Sequence, residues 1–248
     1  MMIKNKNNFF AFTLAEVLIT LGIIGIVAAM TIPTLISNYQ KKQFETKFAK
    51  TYSTIMNGFR LYLADQYCST SVCSPIQDYY VEAFSGKYDN IDNVFNTAFK
   101  VSKTCRGKAE INGCLAEKLY GIDGEELDLS TNAEPYSTVF PDGSALTAIG
   151  GVYGALLLLL DTNATAEPNM YGKDLFLFVM DFSETRSTHL PVMFAWGDTN
   201  SGPGWWTPWT EDASMCGKPG EKITESDYSN GMGCGARLLE EGFKINYY

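Results

Sequence analysis

Residues 17–36 run for twenty positions without a charge. Coiled as a helix at ~1.5 Å per residue, such a run is about 30 Å long, the thickness of a bilayer's hydrocarbon core. The pattern then changes without a break. Phe44, Phe48, Tyr52, Ile55, Phe59 and Tyr62 recur at spacings of three and four, while Lys41, Lys42, Glu45, Lys47, Lys50 and Arg60 occupy the remaining positions. The two patterns together predict one helix of roughly 50 residues, apolar all round in its first half (12–36) and amphipathic in its second (37–66). Pro33 withholds one backbone donor and is expected to loosen or kink the helix between the halves. The aromatic stripe is the spacing of a face that packs on a core.

Beyond residue 66 the helical period fades. Cys68-Ser-Thr-Ser-Val-Cys73-Ser-Pro reads as a loop, 79–100 as short helices interrupted by Gly86, the stretch from Cys105 to Cys114 as a second loop, and 121–135 as acidic, turn-rich surface. A period of two then takes over. Residues 136–140 and 144–149 flank Pro141-Asp142-Gly143, a hairpin with turn chemistry. Residues 152–160 and 174–182 read as buried strands, 191–196 as a further strand, 236–241 as a short helix stopped by Gly242, and 243–247 as a terminal strand. Consecutive strands without intervening helices imply an antiparallel sheet. The expected architecture is α+β: a long N-terminal helix packed on an antiparallel sheet within a globular domain of residues 67–248.

Composition narrows the partners. The chain has 248 residues, 46% hydrophobic and 19% charged, with a net charge of -9. That charge argues against nucleic acid, whose affinity rests on cations neutralising phosphates. All six cysteines, Cys68, Cys73, Cys105, Cys114, Cys216 and Cys234, lie beyond the helix. Neighbour pairing, 68 with 73, 105 with 114 and 216 with 234, is one of fifteen connectivities. Disulfides would place the domain outside the cytoplasm. Metal binding is the rival, but neither close spacing is C-x2-C, and His189 is the only histidine. Counting Lys4 and Lys6 before the span against Lys41, Lys42, Lys47 and Lys50 after it favours the opposite orientation. The cysteines outweigh it.

Ala11-Phe12-Thr13-Leu14-Ala15-Glu16 ahead of an apolar helix resembles the processing site of type IV prepilins and of the pseudopilins of type II secretion. The resemblance implies a leader, 1–11, removed by prepilin peptidase between Ala11 and Phe12, with N-methylation of Phe12. The family usually has Gly where Ala11 stands. Glu16 becomes the fifth mature residue, where the family keeps its acid, and Pro33 the twenty-second. The implied partners are other pilin or pseudopilin subunits and an inner-membrane assembly platform. The implied location is the bacterial inner membrane, single-pass with a periplasmic domain, and then a pilus or pseudopilus. A carboxylate in a low-dielectric layer gains most from a cation in the same layer. Glu16 is therefore expected to pair with the free Phe12 ammonium and set register in a helical filament.

Three further segments carry candidate chemistry. Asp161-x-Asn163 with Glu167, Pro168-Asn169, Gly172 and Asp174 lies between two predicted strands and is similar to a segment found in many prepilin-like proteins, some of which bind calcium. Clustered loop oxygens suit Ca²⁺, although the spacing of a regular calcium loop is missing and an Asx turn is the plainer reading. No cofactor is required. Trp205, Trp206 and Trp209 form a loop that either covers the core or presents a carbohydrate or partner platform. A secreted or membrane-anchored binding protein using that loop is the alternative function, if Val27-Ala28-Ala29 were an ordinary signal-peptidase site. The region from Cys216 to Cys234 resembles the disulfide-closed terminus of pilins. Catalytic signals are thin: His189 has no marked nucleophile, and Gly231-x-Gly233-x-Gly235 lacks a preceding strand. The sequon Asn163-Ala164-Thr165 carries little weight. An enzyme is not expected. A large domain with a Trp loop suits a minor subunit.

Overall fold

The structure is a computed structural model, and it describes residues 13–65, 88–127, 134–152, 155–181, 192–197, 210–211, 213–218, 220–223 and 230–248. The leader with Ala11 and Phe12, the cysteines at 68 and 73, His189 and the tryptophans at 205, 206 and 209 lie outside the described residues.

Helix α1, Leu14–Asp65, is 52 residues long and includes Pro33. Contacts divide the chain between Gln43 and Phe44 into two units. In the first, the helix exposes its large apolar side chains, from Leu14 through Ile36. It is the one described helix long and apolar enough to cross a membrane. In the second, the predicted stripe is core: Phe48, Ile55, Phe59 and Tyr62 are buried, with Phe44 and Tyr52 packed against them.

That second unit is built on a six-stranded antiparallel sheet in the order β1 (Lys103–Arg106), β4 (Tyr136–Val139), β5 (Ala145–Val152), β6 (Ala155–Asp161), β7 (Leu175–Asp181) and β8 (Val192–Ala195). A separate two-stranded ladder joins β2 (Leu119–Tyr120) to β3 (Glu126–Leu127). From β4 onward each strand pairs with the next in sequence, so short connections suffice. The β4–β5 turn follows its sequence: Gly143 adopts a positive φ of 84°, and Asp142 accepts hydrogen bonds from the Ser144 amide and hydroxyl.

Both faces of the sheet are covered. Leu156, Leu158 and Leu160 of β6 and Phe176, Phe178 and Met180 of β7 join the α1 stripe, where the Phe48 and Phe176 rings lie 4.3 Å apart. Helix α2, Asp89–Ala98, adds Ile91, Val94 and Phe95 to the same layer. Leu159, Leu175 and Leu177 face the other way, under Leu115, Leu119 and Tyr171. A strand buried on two sides has no polar positions to alternate, which accounts for the unbroken leucine run 156–160.

Three expectations need correction. The stretch from Cys105 to Cys114 is not simply a loop: it contributes edge strand β1, a helical turn α3 (Gly107–Glu110) and a 3-10 turn (Ile111–Gly113). The Lys103–Arg106 strand forms because β4 offers it a free edge. The surface stretch 121–135 includes β3. Residues 243–247 are not a strand. Their backbone partners are single groups, the Leu238 carbonyl for the Phe243 amide, the Glu45 carboxylate for the Ile245 amide and the Ile223 amide for the Tyr247 carbonyl, and no ladder forms. Two short helices, α4 (Ala213–Cys216) and α5 (Cys234–Glu240), precede that tail.

Candidate functional sites

The N-terminal end of α1 is closed by two side chains. Thr13 donates its amide and its hydroxyl to the Glu16 carboxylate, each at 2.8 Å, and the Glu16 amide donates back to the Thr13 hydroxyl at 3.2 Å. This is a capping box, which satisfies donors that the first helical turn leaves open. Its signature, Thr-x-x-Glu before an apolar run, was present in the sequence, and reading Glu16 as a filament ion-pair partner alone overlooked Thr13. The carboxylate at this place has a local structural task before any partner arrives. Pro33 lies inside a helix assigned without interruption from Leu14 to Asp65.

The β6–β7 connection gathers the second group. Asp161 ends β6 and stands opposite Leu175 in the register. Its Oδ1 accepts the Asn163 amide at 2.9 Å, an Asx turn. Asp174 lies next to that register partner and accepts the Asn169 amide at 2.9 Å and the Met170 amide at 2.7 Å, while its own carbonyl accepts the Thr162 amide at 2.9 Å. Asn163 reaches across the loop to the Glu167 carbonyl at 3.0 Å. Ala164 and Asn169 both take positive φ, 53° and 52°, which lets so short a connection turn back on itself. Burial pushes the carboxyls of both Asp161 and Asp174 above the ordinary carboxylate value, and at Asp161 the nearby Asp174 charge adds to it. Asp161, Asn163 and Asp174, expected together from sequence, are brought together here. Asn169, part of the same segment in the sequence, joins them, as does Thr162, which carried no sequence signal beyond lying in the same loop.

The third site is the C-terminal region. Cys216 and Cys234 are bonded, with their Cα atoms 4.9 Å apart, and Cys105 is bonded to Cys114 at a Cα separation of 6.1 Å. Beside the first bridge lies Arg237, fully buried. Its guanidinium donates to the Cys216 carbonyl and the Glu221 carbonyl, both at 2.8 Å, and to Glu241 at 2.9 Å, and it sits 5.4 Å from the centre of the Tyr247 ring. A rigid fork of donors suits this role, since each lobe meets a fixed carbonyl. An arginine in Ala-Arg-Leu-Leu-Glu-Glu reads as a solvent-facing residue, so sequence reasoning missed it. The Gly231, Gly233 and Gly235 series belongs to the same corner. Gly231 takes a φ of 78° and packs against the Tyr171 backbone, an arrangement of close chain approach and not of a phosphate cradle.

No group of three or more His, Cys, Asp or Glu arranged to hold a metal occurs among the described residues, so any cation would need amide and hydroxyl oxygens as well. Residues 6–32 match the family described as the prokaryotic N-terminal methylation motif. No curated protein and no solved structure matches the chain. The matched span covers the capping box and most of the exposed apolar half of α1, and it implies processing by prepilin peptidase and assembly with other pilin subunits. The chain thus carries, over residues 6–32, the hallmark segment of the type IV prepilin and pseudopilin family, on an α+β, pilin-like architecture.

Proposed function

We propose that this chain is a structural, minor subunit of a type IV pilus or a type II secretion pseudopilus. The leader is cut between Ala11 and Phe12, and Phe12 is methylated. The apolar half of α1 then holds the subunit in the inner membrane with its disulfide-bonded domain in the periplasm. An assembly platform draws the subunit into a helical filament whose core is a bundle of such helices. Inside that bundle Glu16 exchanges its Thr13 partners for the Phe12 ammonium of a neighbour. Its role is assembly and not catalysis.

The observation that carries this reading is a methylation-motif match over residues 6–32 that coincides with the stretch of α1, Leu14 through Ile36, whose large apolar side chains are exposed. Such a surface is costly in water and calls for lipid or other helices. The test is the mass and N-terminal sequence of the mature chain from membranes of cells carrying the matching peptidase. A chain beginning at N-methyl-Phe12 supports the proposal. A chain beginning at Met30, as ordinary signal-peptidase cleavage after Val27-Ala28-Ala29 would give, overturns it.

A further inference from the structure

Four lysines follow the apolar half of α1, and the structure sorts them into two pairs. Lys50 is bonded to Asp142 of the β4–β5 turn at 2.9 Å, and the charge of Lys47 is felt at Asp161 where β6 ends. These two serve carboxylates of the sheet. Lys41 and Lys42 fall on the other side of the division between Gln43 and Phe44, in the unit that carries the exposed apolar side chains. Each has an interaction within the chain, but an ammonium has three donors, so one partner does not exhaust it.

The position of this pair along the helix is specific. The apolar run ends at Ile36, and the next residues are Ser37-Asn38-Tyr39-Gln40-Lys41-Lys42, which rise about 9 Å on a helix that continues through them. A bilayer is ~30 Å thick across its hydrocarbon and ~40–45 Å with its headgroups, which leaves roughly 5–8 Å for each headgroup layer. The polar collar therefore matches that layer in height. All of it except the half-buried Lys41 is exposed, Tyr39 at 63%. Tyrosine is the side chain of a membrane interface, with an apolar ring for the acyl boundary and a hydroxyl for the wet side. Tyr39 and Lys42, three residues apart, share a helix face. Residues 37–43 contain no acid, and the first one beyond them, Glu45, already holds the Ile245 amide and Lys244. Two cations without an acid among them, in a chain of net charge -9, suit a layer of negative charge.

We propose that Lys41 and Lys42 bind anionic phospholipid headgroups in the leaflet from which the globular unit emerges, at the level marked by Tyr39. The inference rests on the reading of α1 as a membrane span and adds to it the class of lipid and the residues that hold it. An ammonium is a compact point charge on a flexible apolar stem, so each lysine can lie along the helix and present its head to a phosphate. The contacts fix the depth of the helix at one end. Withdrawal of the subunit into a filament then has to break two headgroup contacts as well as expose the apolar surface.

The test reconstitutes the full chain into nanodiscs of phosphatidylglycerol and phosphatidylcholine in equal parts, and native mass spectrometry counts the lipids each chain retains. The parent is expected to retain phosphatidylglycerol in preference. The double variant Lys41→Gln, Lys42→Gln is expected to lower that preference about 25-fold, about fivefold for each lysine. Lys41→Arg with Lys42→Arg keeps both charges and is expected to restore it. Lys4→Gln with Lys6→Gln removes the charges before the span and is expected to leave it unchanged. Equal retention of the two lipids by the parent overturns the lipid class. An unchanged preference in the Lys41, Lys42 double glutamine variant, or an equal loss in the Lys4, Lys6 variant, overturns the assignment of residues. A parent chain that enters nanodiscs of neither lipid overturns the membrane span itself, a result separate from the other two because in them the chain still inserts.

Discussion

The backbone amide of Ile245 donates to the carboxylate of Glu45 at 3.0 Å, across 200 residues of chain. Lys244 adds a longer ion pair to the same carboxylate at 3.6 Å. One side chain on α1 thereby holds the last residues against the helix, and Ile245 and Tyr247 reach the main core. Replacing Glu45 with Ala leaves the Ile245 amide without its acceptor. The expected loss is about 1–3 kcal/mol, read as a lower midpoint in thermal unfolding of the detergent-solubilised chain. Glu45→Gln keeps an acceptor and is expected to lose less than half as much. Equal losses in the two variants would count against the hydrogen bond as the cause.

Gly58 of α1 lies against the C-terminal end of α2. A Cβ on residue 58 would overlap the Phe99 ring and lie 2.9 Å from the Ala98 carbonyl. The Phe99 ring is also held against Phe59, 5.1 Å away, and Phe140, 5.3 Å away, so it has little room to yield. Gly58→Ala should therefore destabilise by about 1–3 kcal/mol, the range for overpacking, despite the better helix propensity of alanine. A gain in chemical-denaturation midpoint would refute the close approach.

Arg237 has no exposed surface, and its three partners fix three chain segments at once. Arg237→Met fills similar space but leaves the Cys216 and Glu221 carbonyls unmatched. About 3 kcal/mol of stability should be lost. Arg237→Lys should recover only part of it, because a point ammonium cannot meet diverging acceptors. Denaturant midpoints of the three proteins decide the matter.

The β4–β5 turn supplies a pH dependence. Burial opposes ionisation of Asp142, but hydrogen bonds from Ser144 and the Lys50 ammonium at 2.9 Å outweigh it and hold the carboxyl below its ordinary value of 3.8. A carboxyl whose value is lowered by folding stabilises the native state above the unfolded-chain value. That contribution is lost as pH falls from 3.8 through the lower native value. Asp142→Asn should remove this part of the acid sensitivity, so the gap between parent and variant midpoints should narrow as pH drops below about 4. A gap unchanged between neutral and acid conditions would contradict the assignment.

Much of the fold is carried by periods that local chemistry imposes. Phe48, Ile55, Phe59 and Tyr62 had to share one face of a helix at 3.6 residues per turn, and no tertiary contact could have rearranged that face. Pro141-Asp142-Gly143 had to turn, because Gly143 alone accepts the positive φ at no steric cost. The capping box of Thr13 and Glu16 was equally visible as Thr-x-x-Glu, being a contact three residues long.

What the chain could not announce is whatever depends on meeting a distant segment. Residues 243–247 alternate like a strand, yet a strand needs an open ladder, and their partners are a carbonyl at Leu238, a carboxylate on α1 and a lone amide at Ile223. Arg237 looks like surface in its own helix and is buried because the Cys216 and Glu221 carbonyls close around it. In the same way, Asp161 and Asp174 could be marked as oxygen ligands from sequence, whereas folding alone decides that Asp161 Oδ2, Thr162 Oγ1, Asn163 Oδ1 and Asn169 Oδ1 are buried without a hydrogen-bond partner. A side chain's hydrogen-bond balance is set by which neighbours exclude water from it. The sequence by itself therefore determined the long two-part helix, the antiparallel meander and the processing motif, all products of local period and short-range sterics. The tertiary structure alone decided which polar groups are buried and who answers them, since burial is a property of segments brought together from far apart in the chain.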